Sequence, residues 1–177
     1  MIGRMAGSMP GEEYPLLIKI ALEAGNGDIL EIGSLYGGSA LAMMIARKEA
    51  GIDGKIYCVD LFGNYHEDSL STDVIIENFY KFGVIENLRL IVSNSNKIPE
   101  LFKDERFVIT HIDGDHKGDA PLNDWRNTKD LTTKFVVFHD ANKDHPDVLR
   151  AIKAANNDPD WFQYIQETNT IVMERNQ

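Results

Sequence analysis

Short apolar runs rich in Ile, Val and Phe alternate along this chain with longer stretches of helical spacing or helix-forming composition. The runs Asp28–Ile32, Lys55–Asp60, Leu88–Val92, Phe107–Asp113 and Phe135–Asp140 carry the β-branched and aromatic side chains that suit a buried, pleated surface. Between them, Ser39–Glu49, Thr72–Phe82, Ile98–Phe102, Ala120–Leu131 and Pro146–Asn156 predict helices, each read as a crossover between parallel strands. Polar and apolar residues then alternate over Trp161–Gln166 and Thr170–Glu174, on either side of Glu167-Thr168-Asn169, which predicts an antiparallel hairpin. The expected fold is therefore α/β: a Rossmann-like three-layer sandwich whose mostly parallel seven-stranded sheet ends in an antiparallel hairpin. No repeat, low-complexity segment or linker interrupts the pattern, so residues 1–177 read as one domain, with residues 1–15 as a mobile extension or a lid.

Charge and composition narrow the partners. A formal net charge of −10 works against a surface for nucleic acid, which is held largely by Lys and Arg. A small-molecule substrate is the expectation, and a homo-oligomer is compatible with it. No apolar stretch near the N-terminus resembles a signal peptide or a membrane span, and the lone Cys58 reads as a buried, inert thiol; a soluble cytoplasmic protein is expected.

The most informative stretch is Glu31-Ile32-Gly33-Ser34-Leu35-Tyr36-Gly37-Gly38-Ser39, between the first strand and its helix. Glycines in such a turn admit a ligand close to the backbone, although by themselves they could simply make a tight turn. Asp60 closes the next strand, so Glu31 and Asp60 should face the crevice above the strand ends, where a carboxylate suits ribose hydroxyls. The glycine spacing departs from the dinucleotide fingerprint, and an acid at Glu31 favours a cationic ligand. Asn94 and Ser95 follow the third strand, where they suit either a ligand or a helix N-cap.

Two further strands end in His111-Ile112-Asp113-Gly114-Asp115-His116 and Phe138-His139-Asp140-Ala141-Asn142. One strand-helix-strand unit separates Asp113 from Asp140, so the two can sit side by side, and hard carboxylate oxygens suit Mg²⁺ or a similar ion. Asp115 competes with Asp113 for that role, because Gly114 lets either acid turn inward. His139 reads as a buried histidine within the sheet, and His145 as part of a helix start. The Asp60–Asp68 stretch reads as a substrate loop or a surface loop over a buried Phe62. Trp125 and Trp161 read as packing residues, and Lys103–Arg106 as a solvated run.

On Glu31, Gly33, Gly37, Gly38, Ser39 and Asp60, the chain resembles class I S-adenosylmethionine-dependent methyltransferases. On D-G-D-H followed by H-D, it resembles their metal-dependent O-methyltransferase branch, which includes catechol-type and sugar- or macrolide-modifying enzymes. The resemblance implies a cofactor site made of Glu31, Gly33, Ser34, Gly37, Gly38, Ser39, Asp60, Asn94, Ser95 and Asp113. It also implies a metal held by Asp113 and Asp140, with His116 as general base and a small-molecule hydroxyl as acceptor. Related sites commonly place an amide or acid directly after the second aspartate. Ala141 stands there instead, which leaves Asn142 or water to complete the set. A cofactor-binding module without catalysis and a nicotinamide-dependent oxidoreductase are the competing readings.

Overall fold

The computed structural model describes residues 11–62 and 71–176. The first ten residues of the expected lid, and Gly63–Asp68 of the expected substrate loop, lie outside the described residues. In chain order the strands are β1 (Asp28–Ile32), β2 (Ile56–Asp60), β3 (Leu88–Val92), β4 (Phe107–Ile112), β5 (Thr132–Phe138), β6 (Trp161–Glu167) and β7 (Thr170–Arg175). The helices are α1 (Tyr14–Glu23), α2 (Gly38–Glu49), α3 (Ser71–Lys81), α4 (Ile98–Leu101), α5 (Ala120–Thr128) and α6 (Pro146–Asn156).

The seven strands form one sheet in the order β3-β2-β1-β4-β5-β7-β6. Strands β1 to β5 are parallel, while β7 runs antiparallel to both β5 and β6. Alternation along the strands sorts side chains onto two faces. Ile29, Cys58, Ile109 and Val137 meet α1, α2 and α3 in one apolar cluster. Leu30, Ile32, Val59, Ile112 and Phe138 meet α4, α5 and α6 in the other. Trp125 and Trp161 pack edge-on in the second cluster with ring centroids 5.3 Å apart, as expected of packing residues. Among the described residues, no helix is long and apolar enough to cross a membrane.

Three elements differ from the sequence pattern. Residues Tyr14–Glu23, part of which was expected as extension or lid, form α1, which buries Leu16, Leu17, Ile20 and Ala21 against the sheet. Helix α5 stops at Thr128 and β5 begins at Thr132, three residues before the expected Phe135. The hydroxyls of Thr128 and Thr132 donate to Asp124 O (2.7 Å) and Thr128 O (2.9 Å), and the Thr132 hydroxyl lies 2.6 Å from that of Thr110. Buried, β-branched Thr132 thus enters the strand early because its hydroxyl finds partners there.

The hairpin turn has two residues, since Glu167 pairs with Thr170, and Thr168 takes the positive φ (50°) that a tight turn demands. Strand order reverses between β1 and β4, so the crossovers to either side diverge there and leave a crevice above the strand ends. Gly33 sits at that point with φ +81°; a Cβ there would lie 2.1 Å from the carbonyl oxygen of Asp113. Gly33→Ala therefore meets both backbone strain and a backbone clash, and it should lower the unfolding free energy by at least about 2 kcal/mol. The midpoint of urea unfolding checks this; an unchanged midpoint would show that the two strand ends can separate at no cost.

Candidate active site

Backbone hydrogen bonds continue the parallel ladder one residue past each strand. Ser93 N donates to Asp60 O (3.0 Å), Gly33 N to Val59 O (3.0 Å), Asp113 N to Ile32 O (2.9 Å) and His139 N to Ile112 O (3.1 Å). This register sets the strand-end residues in a row along a cleft of about 680 Å³, within the roughly 300–1,000 Å³ typical of small-molecule sites. The cleft is lined near its middle by Gly33, Ser34 and Asp60, and elsewhere by Asn94 and Ser95 and by Asp113, His116 and Asp140.

Asp60 organises the glycine turn. Its Oδ2 accepts from the backbone N–H of Ser34 (2.7 Å) and Leu35 (3.0 Å), and its Oδ1 from that of Phe62 (2.9 Å). The chain then enters α2 through Gly37, whose φ of +73° is the left-handed value that glycine adopts without cost. Asn94 is an N-cap, its Oδ1 accepting from Asn96 N (2.9 Å) ahead of a 3-10 turn over Ser95–Lys97, and it also lines the cleft; the two expectations for it are compatible.

Glu31 is placed differently from expectation. It is fully buried and is not part of the cleft wall. In register with Cys58 and His111 on the face beneath α2, it accepts from Ser39 Oγ (2.6 Å) and Cys58 Sγ (3.7 Å) and lies 3.1 Å from His111 Nδ1. Its geometry is that of an anchor for the first turn of α2. Burial, with the charge of Glu31 next to it, pushes the Cys58 thiol well above its usual value, which keeps it the inert residue expected.

At the other side of the cleft the geometry separates the competing acids. Asp115 is exposed and its Oδ1 accepts from Lys117 N (3.0 Å), whereas Asp113 turns inward. Asp113 Oδ1 is 2.9 Å from His139 Nδ1 and 3.3 Å from His116 Nε2. Asp140 Oδ2 is 3.4 Å from His116 Nδ1 and 3.6 Å from His139 Nδ1. Asp140 reaches this position with φ +53°, a left-handed conformation that is costly for a non-glycine residue and is typical of functional sites. Ala141 points into the apolar cluster, its N–H donating to Asn169 O (2.7 Å). Asn142, expected as a metal ligand, instead uses Oδ1 to accept from Asp144 N (2.9 Å) in its own turn.

Three contributors escaped the sequence reading. Buried Glu13, just before α1, forms a short hydrogen bond with His139 Nε2. Tyr14 lines the cleft, and His145 stacks edge-on to His116 at 4.9 Å with Nε2 3.9 Å from Asp140 Oδ2. Glu13 immediately precedes α1 and reads locally only as a residue at a helix start, and His145 precedes a proline that explains it locally. Burial opposes the charged forms of the cluster, but mutual pairing outweighs it. His139 is pushed up to about 9 by hydrogen bonding to Asp113 and by the charges of Asp113, Asp140 and Glu13. Asp113 is drawn down to about 2 by the hydrogen bonds of His116 and His139, and His116 is raised by its hydrogen bond to Asp113.

Residues 30–141 match the family model described as a methyltransferase domain. No curated protein is a significant sequence relative. Several solved structures share the fold. A putative O-methyltransferase from Klebsiella pneumoniae superposes with a TM-score of 0.79 at 17% identity, covering 99% of this chain and 85% of that one. An O-methyltransferase from Bacillus cereus in complex with S-adenosylhomocysteine gives 0.74 at 16%, covering 97% and 84%. The O-methyltransferase TomG from Streptomyces achromogenes, involved in tomaymycin synthesis and in complex with S-adenosylmethionine, gives 0.73 at 17%, covering 95% and 81%. At these identities the likeness is one of fold.

The paired cluster makes stability depend on pH. A histidine whose folded pKa is raised from 6.5 to about 9 contributes stability that is complete below pH 6.5 and is lost as pH climbs toward 9. Asp113, lowered from 3.8 to about 2, contributes stability above pH 3.8 that is lost on acidification. Chemical unfolding in the presence of a chelator should show a decline on the order of 3 kcal/mol between pH 6.5 and 9, and His139→Gln should flatten it. An equal decline in the variant would assign the pH dependence to other groups.

Proposed function

The chain belongs to the methyltransferase-domain family, and on that premise we propose that it moves the methyl group of S-adenosylmethionine to a hydroxyl of a small molecule such as a sugar or other polyol, assisted by a divalent cation. The observation that carries this reading is the convergence of Asp113, His116 and Asp140 on one side of a cleft whose middle is the Gly33–Ser39 turn and Asp60. A fold shared with O-methyltransferases in complex with S-adenosylmethionine or S-adenosylhomocysteine supports it.

The donor set fits a cation. Asp113, His139 and Asp140 offer ligand atoms within 4.8 Å of one another, and so do His116, Asp140 and His145. Asp113 and Asp140 would hold the ion through carboxylate oxygens, which suit Mg²⁺. When bound, it would lower the pKa of a substrate hydroxyl placed beside it.

The remaining work falls to the chain's own residues. The glycine turn and Asp60 hold the cofactor, with its methionine part along Gly33, Ser34, Gly38 and Ser39 and its ribose hydroxyls donating to Asp60. His116 is placed to accept the substrate proton at a ring nitrogen; S-adenosylmethionine, when bound, would supply the methyl group, its sulfur keeping the electron pair of the broken carbon–sulfur bond. Asp113 orients His116 through their 3.3 Å contact, while Glu13 and Asp113 fix both ring nitrogens of His139. Nucleophile, methyl carbon and sulfur must lie nearly in line, so most of the rate gain comes from fixing two ligands in register.

Calorimetric titration with S-adenosylhomocysteine, with and without Mg²⁺, tests the cofactor site before any acceptor is known; micromolar-range binding is expected, and no heat in either condition would overturn the reading. Once a screen supplies an acceptor, His116→Ala should retain that binding and lose about 10² to 10⁴-fold in rate. Unchanged turnover would remove His116 from the chemistry.

A further inference from the structure

His145 has no part in the chemistry above. It precedes α6, where its side chain makes no capping hydrogen bond, and its partly exposed ring stacks edge-on against His116 at 4.9 Å. Its Nε2 faces Asp140 Oδ2 at 3.9 Å, and among the described residues the ring makes no hydrogen bond. His145 thus brings a nitrogen lone pair to a carboxylate and a second imidazole.

The spacing of the three groups is that of a coordination site. His116 Nδ1 lies 3.4 Å from the same Asp140 Oδ2, and the ligand atoms of His116, Asp140 and His145 all fall within 4.8 Å of one another. Zinc bonds of about 2.0–2.2 Å at tetrahedral angles hold ligand atoms roughly 3.4 Å apart, so His116 and Asp140 already stand at that spacing and His145 has to close by about half an ångström. Asp113 meets the other nitrogen of His116, Nε2, at 3.3 Å. A carboxylate placed behind an imidazole keeps the proton on the far nitrogen and turns the near one toward an ion, as it does in many zinc-bound histidines.

The neighbouring donor set differs in kind. Both ring nitrogens of His139 are engaged, Nδ1 with Asp113 and Nε2 with Glu13, so that side presents carboxylate oxygens. Oxygens suit a hard ion such as Mg²⁺, whereas two imidazoles and one carboxylate suit a borderline ion such as Zn²⁺. The two sets share Asp140 and differ in the ion they prefer.

We propose that His116, Asp140 and His145 form a second cation site, selective for a transition-metal dication such as Zn²⁺, whose occupation takes the Nδ1 lone pair of His116 and stops that residue from serving as a base. Any proton on Nδ1 leaves to solvent as the ion binds. The site stands on side-chain geometry alone; the loss of turnover rests on the reading that His116 accepts the substrate proton.

Titration of the whole chain with Zn²⁺, and with Co²⁺ read by its visible absorption, both in excess Mg²⁺, tests the site without an acceptor. Wild type should bind one equivalent in roughly the micromolar range or tighter. His145→Ala should weaken binding by at least about 100-fold, since outer-shell partners alone are worth roughly 10- to 100-fold. His145→Gln, which keeps bulk ahead of α6, should weaken it likewise, and it guards against loss of folding in the first variant. No binding by wild type, or undiminished binding in a folded variant, would overturn the proposal, and neither result bears on the S-adenosylhomocysteine titration that tests the cofactor site. With an acceptor in hand, Zn²⁺ should inhibit wild type at the concentrations that fill the site; full turnover with the site filled would overturn the inhibitory role.

Discussion

Gly33 and Asp113 meet backbone to backbone where β1 and β4 end, with no room for a side chain between them. The contact lies at the reversal of strand order, and it sets how closely the first strand's turn approaches the acids that follow β4. The ladder bonds from Gly33, Asp113 and His139 extend that closeness across the sheet, so residues remote in the chain share one edge. A parallel sheet imposes this alignment because each strand begins at the same end and presents its C-terminal turn to the same crevice.

The price of such an edge is electrostatic. Asp113, Asp140 and Glu13 converge in a partly desolvated space, and carboxylates there need compensation. His116 and His139 provide it, which is why their pKa values rise while that of Asp113 falls. One layer below, Glu31, Ser39 and His111 form a separate buried network that fastens α2 to the sheet. The two networks use the same residue types, but Asp113, His116 and Asp140 of the first keep partial exposure at the cleft, while Glu31 and His111 of the second are fully buried. Asp124 is a third case, a buried acid that Ser95 hydrogen-bonds while its Oδ1 stays sealed and unpaired.

The sheet was legible because its evidence is local: alternation, β-branched runs and turn residues lie within a few positions of one another, and all seven expected strands form, β5 starting three residues early. The acids at Asp60, Asp113 and Asp140 were legible for a related reason, since a residue that closes a strand in a parallel sheet must face the crevice. The missing parts depend on distant partners. Helix α1 begins at the end of the stretch read as extension or lid, and the rest of it was assigned no element. Glu13 acquires its role only through His139, far along the chain. The choice of Asp113 over Asp115 is decided by a side-chain direction two residues apart, which composition does not encode.

What the sequence by itself determined was the order of the strands and of the helices between them, the sheet's parallel character, its closing hairpin and the set of strand-end groups at one edge, because periodicity and spacing act over short range. The tertiary structure alone decided which of those groups are buried anchors and which face the cleft. Glu31 and Asp60 read alike along the chain, yet packing beneath α2 seals the first while the crossover geometry leaves the second at the cleft wall. Burial and partner distance are properties of packed elements rather than of local pattern, and they fix the chemistry available to each group.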